Sequence, residues 1–123
     1  MNQAREDKAA AARARMAELA AKFIERSVRD LEAMRHGLAK LDAGQIEALL
    51  DIRHLAHRMC GTGATLGFEH LSDCAARIER LTESRPAGAL PDAAARAQIG
   101  AGIEAFGVEL ARLDAANNRP PET

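Results

Sequence analysis

The stretch LAHRMCGTGATLGF, Leu55 to Phe68, sets a histidine ahead of three glycines packed into seven positions. It reads in three ways: a glycine loop cradling a nucleotide, a metal site made by His57 with His54, or a helix cleared of bulk around one imidazole. The dinucleotide fingerprint follows a strand inside an α/β layer. Here an apolar helical period runs into the glycines from about Gln45 and resumes after them near Glu69. The stretch is therefore the C-terminal half of a helix over Gln45 to Leu66. Gly67 suits the left-handed position that closes such a helix.

The same period recurs on both sides of this stretch. Met16, Leu19, Phe23, Leu31, Met34, Leu38 and Leu41 step by three and four, with a gap near Ser27. They predict one amphipathic helix, or two in series, over Gln3 to Lys40. The turn LDAG, Leu41 to Gly44, offers Asp42 as a cap for the helix that follows. A third helix begins near Glu69 and carries Leu71, Ala75, Ile78 and Leu81 on one stripe. ESRPAGALPD, Glu83 to Asp92, is a loop, and Pro91 is placed to open the fourth helix. There Ile99, Ile103, Phe106, Leu110 and Leu113 form the cleanest stripe in the chain. No strand pattern and no internal repeat occurs. The reading is all-α: an antiparallel up-down four-helix bundle over residues 16–116. It has an N-terminal helical extension, a frayed arm over residues 1–15, and a C-terminal tail over residues 117–123.

Composition agrees. The 123 residues suffice for one domain, and 28 of them are alanine, which loses least on entering a helix. Net charge is −1, without the basic excess of a dedicated nucleic-acid binder. No apolar run is long enough to span a membrane. MNQAREDKAAAARARM at the N-terminus is charged where a secretory signal is apolar. Its Ala/Arg content resembles a transit peptide, but Glu6 and Asp7 oppose that. Two cysteines, Cys60 and Cys74, fit a reducing cytoplasm. The balanced surface is compatible with a monomer.

Each helical residue turns by about 100°. With His57 as origin, Ile52, Leu55, Met59, Thr62 and Leu66 fall roughly 140–220° away, so this side is buried and His57 faces solvent. Orientation alone does not separate a reactive imidazole from an inert exposed one. The neighbours argue for the former. Glycine inside a helix costs about 1 kcal/mol relative to alanine. Gly63 lies nearer the core, where it lets a neighbouring helix approach. Gly61 lies one turn after His57 on the outer stripe, where its return is access for the backbone of a macromolecular partner. Ala64 and Thr65 continue that small-residue face, and His54 borders it. Ile46 and Leu50 add apolar groups that read either as a docking patch or as surface covered by the first helix or the LDAG turn. Arg53 and Arg58 read either as bringing positive charge towards an anion on His57 or as plain solvated arginines of an exposed face.

Bundle metal sites recruit ligands from facing helices, directed inward. His57 points outward, and His36 and His70 supply no partner pattern, so no metal is expected. Cys60 and Cys74 lie either side of Gly67 and come roughly level in a helix pair. Two small semi-buried side chains at a helix contact account for them better than a redox pair.

His57, Gly61, Thr62, Gly63, Leu66 and Gly67 resemble, in register, the motif of histidine-containing phosphotransfer (HPt) domains of bacterial phosphorelays. GFEHLSDCAARIE, Gly67 to Glu79, is similar to the helix that follows it. One position departs: Cys60 stands where a lysine is usual. The resemblance implies that His57 accepts a phosphoryl group from a receiver-domain aspartate and passes it to another receiver. It implies that Gly61 admits the receiver, and that the phosphate lacks its customary cation unless Arg58 or Arg53 reaches it. The expected partners are receiver domains of a hybrid histidine kinase or a response regulator, which bring Mg²⁺; the chain itself needs no cofactor and has no kinase machinery. A neutral imidazole is a competent nucleophile near neutral pH, its unperturbed pKa being about 6.5. A non-catalytic adaptor binding a receiver or another regulator through the same face is the competing reading, and Cys60 keeps it open. A redox-responsive protein acting through Cys60 and Cys74 is a third.

Overall fold

The computed structural model describes residues 2–83 and 88–118. Four helices follow one another: α1 (Asn2–Asp42), α2 (Ala48–Thr65), α3 (Glu69–Glu83) and α4 (Ala93–Asn117). Each packs on the next and α4 closes against α1, while among the described residues the backbones of diagonal helices do not come close. Pairings across the seams run in opposite senses. Asp30 meets Arg58 while Gly37 faces Ile52, and Cys60 meets Ser72 while Arg53 meets Thr82. Arg35 pairs with Glu104 and Leu38 faces Gly100. This is an antiparallel up-down bundle, and its all-α architecture is the one expected.

The core is the sum of the apolar stripes. Met34, Leu41, Ile52, Met59, Leu71, Ile78, Ile99, Ile103, Phe106 and Leu110 are essentially inaccessible to solvent. The gap at Ser27 does not divide α1. Ser27 itself takes the core position between Phe23 and Leu31 and is fully buried, so one helix runs through. The stripe starts later than its sequence pattern does. Met16 and Leu19 are 48% and 45% exposed, because α2 ends before it can cover them. Residues 2–15 continue α1 as exposed helix.

Two glycines set the corners that position α2. Gly44 and Gly67 have φ of 90° and 85°, the left-handed region that only glycine enters cheaply. At the first, Gln45 N–H reaches Lys40 O at 2.9 Å and Gly44 N–H reaches Leu41 O at 3.0 Å. At the second, Phe68 N–H reaches Gly63 O at 2.8 Å and Gly67 N–H reaches Ala64 O at 3.2 Å. Both are Schellman closures, which satisfy carbonyls that the helix end leaves open.

Three boundary expectations are corrected. α2 starts at Ala48, leaving Gln45 and Ile46 in the preceding turn, and its N-cap Glu47 makes no side-chain cap. Asp42 is instead the last residue of α1; it accepts from Arg96 Nε at 3.0 Å and ties the end of α1 to the start of α4. Pro91 precedes the fourth helix instead of opening it. Asp92 is the N-cap, accepting from Ala95 N–H at 2.8 Å. The loop expected over Glu83 to Asp92 falls partly, and the terminal tail largely, outside the described residues.

Candidate functional site

The outer face of α2 follows from which residues α2 buries. These are Ala48, Leu49, Ile52, Ala56, Met59 and Gly63, and they place the core direction roughly 125° from His57 around the helix. His57 is thus turned out and towards α3, not straight away from the bundle. Thr62, expected on the buried side, is exposed, while Ala56, next to His57, is fully buried. The wheel drawn from bulky residues alone missed alanine as a core residue.

His57 keeps 75% of its side-chain surface exposed. Its Nδ1 lies 2.7 Å from Oε2 of Glu79, whose side chain is 20% exposed. Glu79 follows the buried Ile78 on α3, which sets it on the flank facing α2. An ionised carboxylate only accepts hydrogen bonds, so Nδ1 carries the proton and donates to Glu79. The lone pair of the neutral ring is then on Nε2. An exposed imidazole, a carboxylate bonded to it and an open approach are thereby assembled on two helices.

The surroundings are small. Gly61 is exposed, and a Cβ built there meets nothing within 4 Å. Thr65 Oγ1 donates back to Gly61 O at 3.0 Å, and Ala64 and His54 are exposed beside it. Gly63 has the opposite setting: it is buried, and a Cβ there lies 3.5 Å from both the Phe23 ring and Ser72 Cβ. Those are ordinary van der Waals distances, so the position sits snugly between α1 and α3. Of the apolar pair, Leu50 is 49% exposed and uncovered, whereas Ile46 is half-buried in the turn before α2.

Both arginines are engaged away from the imidazole. Arg53 donates from Nη2 to Thr82 O at 2.6 Å, with Nε 3.4 Å from Thr82 Oγ1, and so caps the last turn of α3. Arg58 donates to Asp30 Oδ2 at 3.1 Å on the α1 side. Cys60 is half-buried in the α2–α3 seam, its Sγ 3.5 Å from Ser72 Oγ, while Ser72 donates to Cys60 O at 2.8 Å. Ser72, not Cys74, is the residue Cys60 meets. Burial pushes the Cys74 thiol up from its ordinary value, helped by Glu109 and Asp73.

Glu79 was not among the residues singled out in the sequence. The signal was available, because an antiparallel pair turning at Gly67 and Phe68 sets the end of RIE opposite His57.

The Hpt domain family model matches residues 18–116, most of the chain. The chain belongs to the Hpt domain family. No curated protein and no solved structure matches it. Hpt domains are phosphotransfer modules of two-component phosphorelays, without kinase activity, and they interact with receiver domains and kinases. In this Hpt domain no described helix is long and apolar enough to cross a membrane.

Proposed function

We propose that this Hpt domain is a relay intermediate: His57 takes a phosphoryl group from a receiver aspartate and delivers it to a second receiver. The observation that carries the reading is the exposed imidazole with Nδ1 donated to Glu79. That bond leaves Nε2 as the attacking atom. Its lone pair forms the N–P bond as the P–O bond to the receiver aspartate breaks, and the aspartate leaves as a carboxylate. The ring becomes cationic, and the Glu79 carboxylate beside Nδ1–H stabilises that charge. Delivery to the next receiver reverses these steps.

In-line phosphoryl transfer is governed by positioning and charge neutralisation. This chain supplies the position. The receiver supplies Mg²⁺ and the acidic pocket, so no cofactor of the bundle is required. Gly61, Ala64 and Thr65 form the level ground on which a receiver settles, with His54 and the exposed Leu50 at its edge. The setting is cytoplasmic, consistent with two free thiols.

Incubation with a phosphorylated cognate receiver tests this. Acid-labile, alkali-stable phosphate should appear on the chain and be absent from His57→Gln. Tight receiver binding without phosphate uptake, unaffected by His57→Ala, identifies an adaptor instead.

A further inference from the structure

On the flank of α2 away from Glu79, a groove of about 280 Å³ runs between α1 and α2. Its ends differ in chemistry. At one end Leu19, Phe23 and Leu66 form an apolar wall. At the other, Arg26 and Arg58 converge on Asp30, at 3.9 and 3.1 Å. Ser27 lines the groove beside them, fully buried, and its Oγ has no hydrogen-bond partner among the described residues. Buried polar groups are normally satisfied, so this hydroxyl marks a place where a polar atom is missing. Lys22 adds a third cation to the lining, against one carboxylate, and the balance favours an anion.

We infer that this groove binds a single-chain aliphatic carboxylate. Its head sits between Arg26 and Arg58, in competition with Asp30, and accepts from the Ser27 hydroxyl. Its chain lies on Leu19, Phe23 and Leu66. The volume is at the lower limit of small-ligand sites, about 300 Å³, which suits one chain and not two. A partner helix is a poorer match, since it needs a long row of apolar anchors, and here the apolar wall ends against charge.

Titration of the full chain with sodium decanoate, followed by calorimetry and by NMR, tests the site. Saturable one-site binding is expected, with shifts at Leu19, Ser27 and Leu66. Arg26→Gln and Ser27→Ala should each weaken binding tenfold or more with helical content unchanged. Asp30→Asn should tighten it by removing the competing carboxylate. Decanol should bind at least tenfold more weakly than decanoate. No saturable binding, equal affinity for decanol, or an unaltered Arg26→Gln overturns the inference. So does self-association or receiver docking at these residues in a chain that binds no carboxylate, which assigns the groove to protein contact.

Discussion

His57 Nδ1 and Glu79 Oε2 stand 2.7 Å apart, coupling an exposed imidazole on α2 to a largely covered carboxylate on α3. Under the proposed function the pair places the proton on Nδ1 and leaves Nε2 as the nitrogen that attacks. Removing the orienting partner of a metal-ligating histidine lowers function on the order of 10–100-fold, and the same scale is expected here. Glu79→Ala should slow phosphoryl uptake by that amount with far-UV circular dichroism unchanged. Glu79→Gln keeps an acceptor for Nδ1–H and should recover most of the rate. Full activity in Glu79→Ala contradicts the orienting role.

Gly61 and Gly63, two residues apart, should respond in opposite ways. A Cβ on Gly61 meets open space, so Gly61→Ala should raise stability by up to about 1 kcal/mol, while Gly61→Leu blocks receiver docking. A Cβ added at Gly63 would lie in ordinary contact, 3.5 Å from both the Phe23 ring and Ser72 Cβ, so the γ-carbons of a valine go beyond the space available. Gly63→Val should cost about 1–3 kcal/mol by overpacking. Chemical denaturation and receiver titration separate the two effects.

Arg53 should behave as a structural residue. Its bond to Thr82 O, at 2.6 Å, involves a charged donor, and such bonds contribute about 1.5–3 kcal/mol. Arg53→Ala should lower the unfolding free energy within that range and leave the phosphoryl-transfer rate of the folded fraction near wild type. A large rate loss at unchanged stability places Arg53 at the phosphate instead.

Glu109 provides a pH test remote from the site. It is buried on α4 and accepts from Arg112 Nε at 2.6 Å. That bond holds its carboxyl below the ordinary glutamate value, against the smaller upward effect of burial. A depressed folded-state pKa gives stability that is full above the unfolded glutamate range and is lost as pH falls through the folded value. Arg112→Gln should therefore be less stable than wild type near neutrality, and the gap should close in acid. A gap that is constant with pH contradicts this linkage.

What the sequence made legible follows from the range of each interaction. The helices, the Gly67 closure and the exposure of His57 are local or periodic, and they read directly from spacing. Caps were less legible. Asp42 and Pro91 both carry the right chemistry for a helix start, but Asp42 is claimed by Arg96 across the bundle and Asp92 caps α4. Met16 and Leu19 repeat the apolar period of α1 beyond the point where a neighbour exists to bury them. Ala56 shifted the core direction because a buried alanine is silent in a pattern of large side chains. Arg53 and Arg58 lie near His57 in sequence, yet tertiary partners, Thr82 and Asp30, hold them. Glu79 is the converse case: distant in sequence, adjacent across the α2–α3 seam.

Under the proposed function His57 is the phosphoacceptor and Glu79 leaves Nε2 as its nucleophile. Phosphorus–proton correlation NMR on the chain phosphorylated by its cognate receiver examines both parts at once. A single phosphohistidine at His57, substituted on Nε2, is expected. A phosphate on Nδ1, or on any residue other than His57, contradicts it.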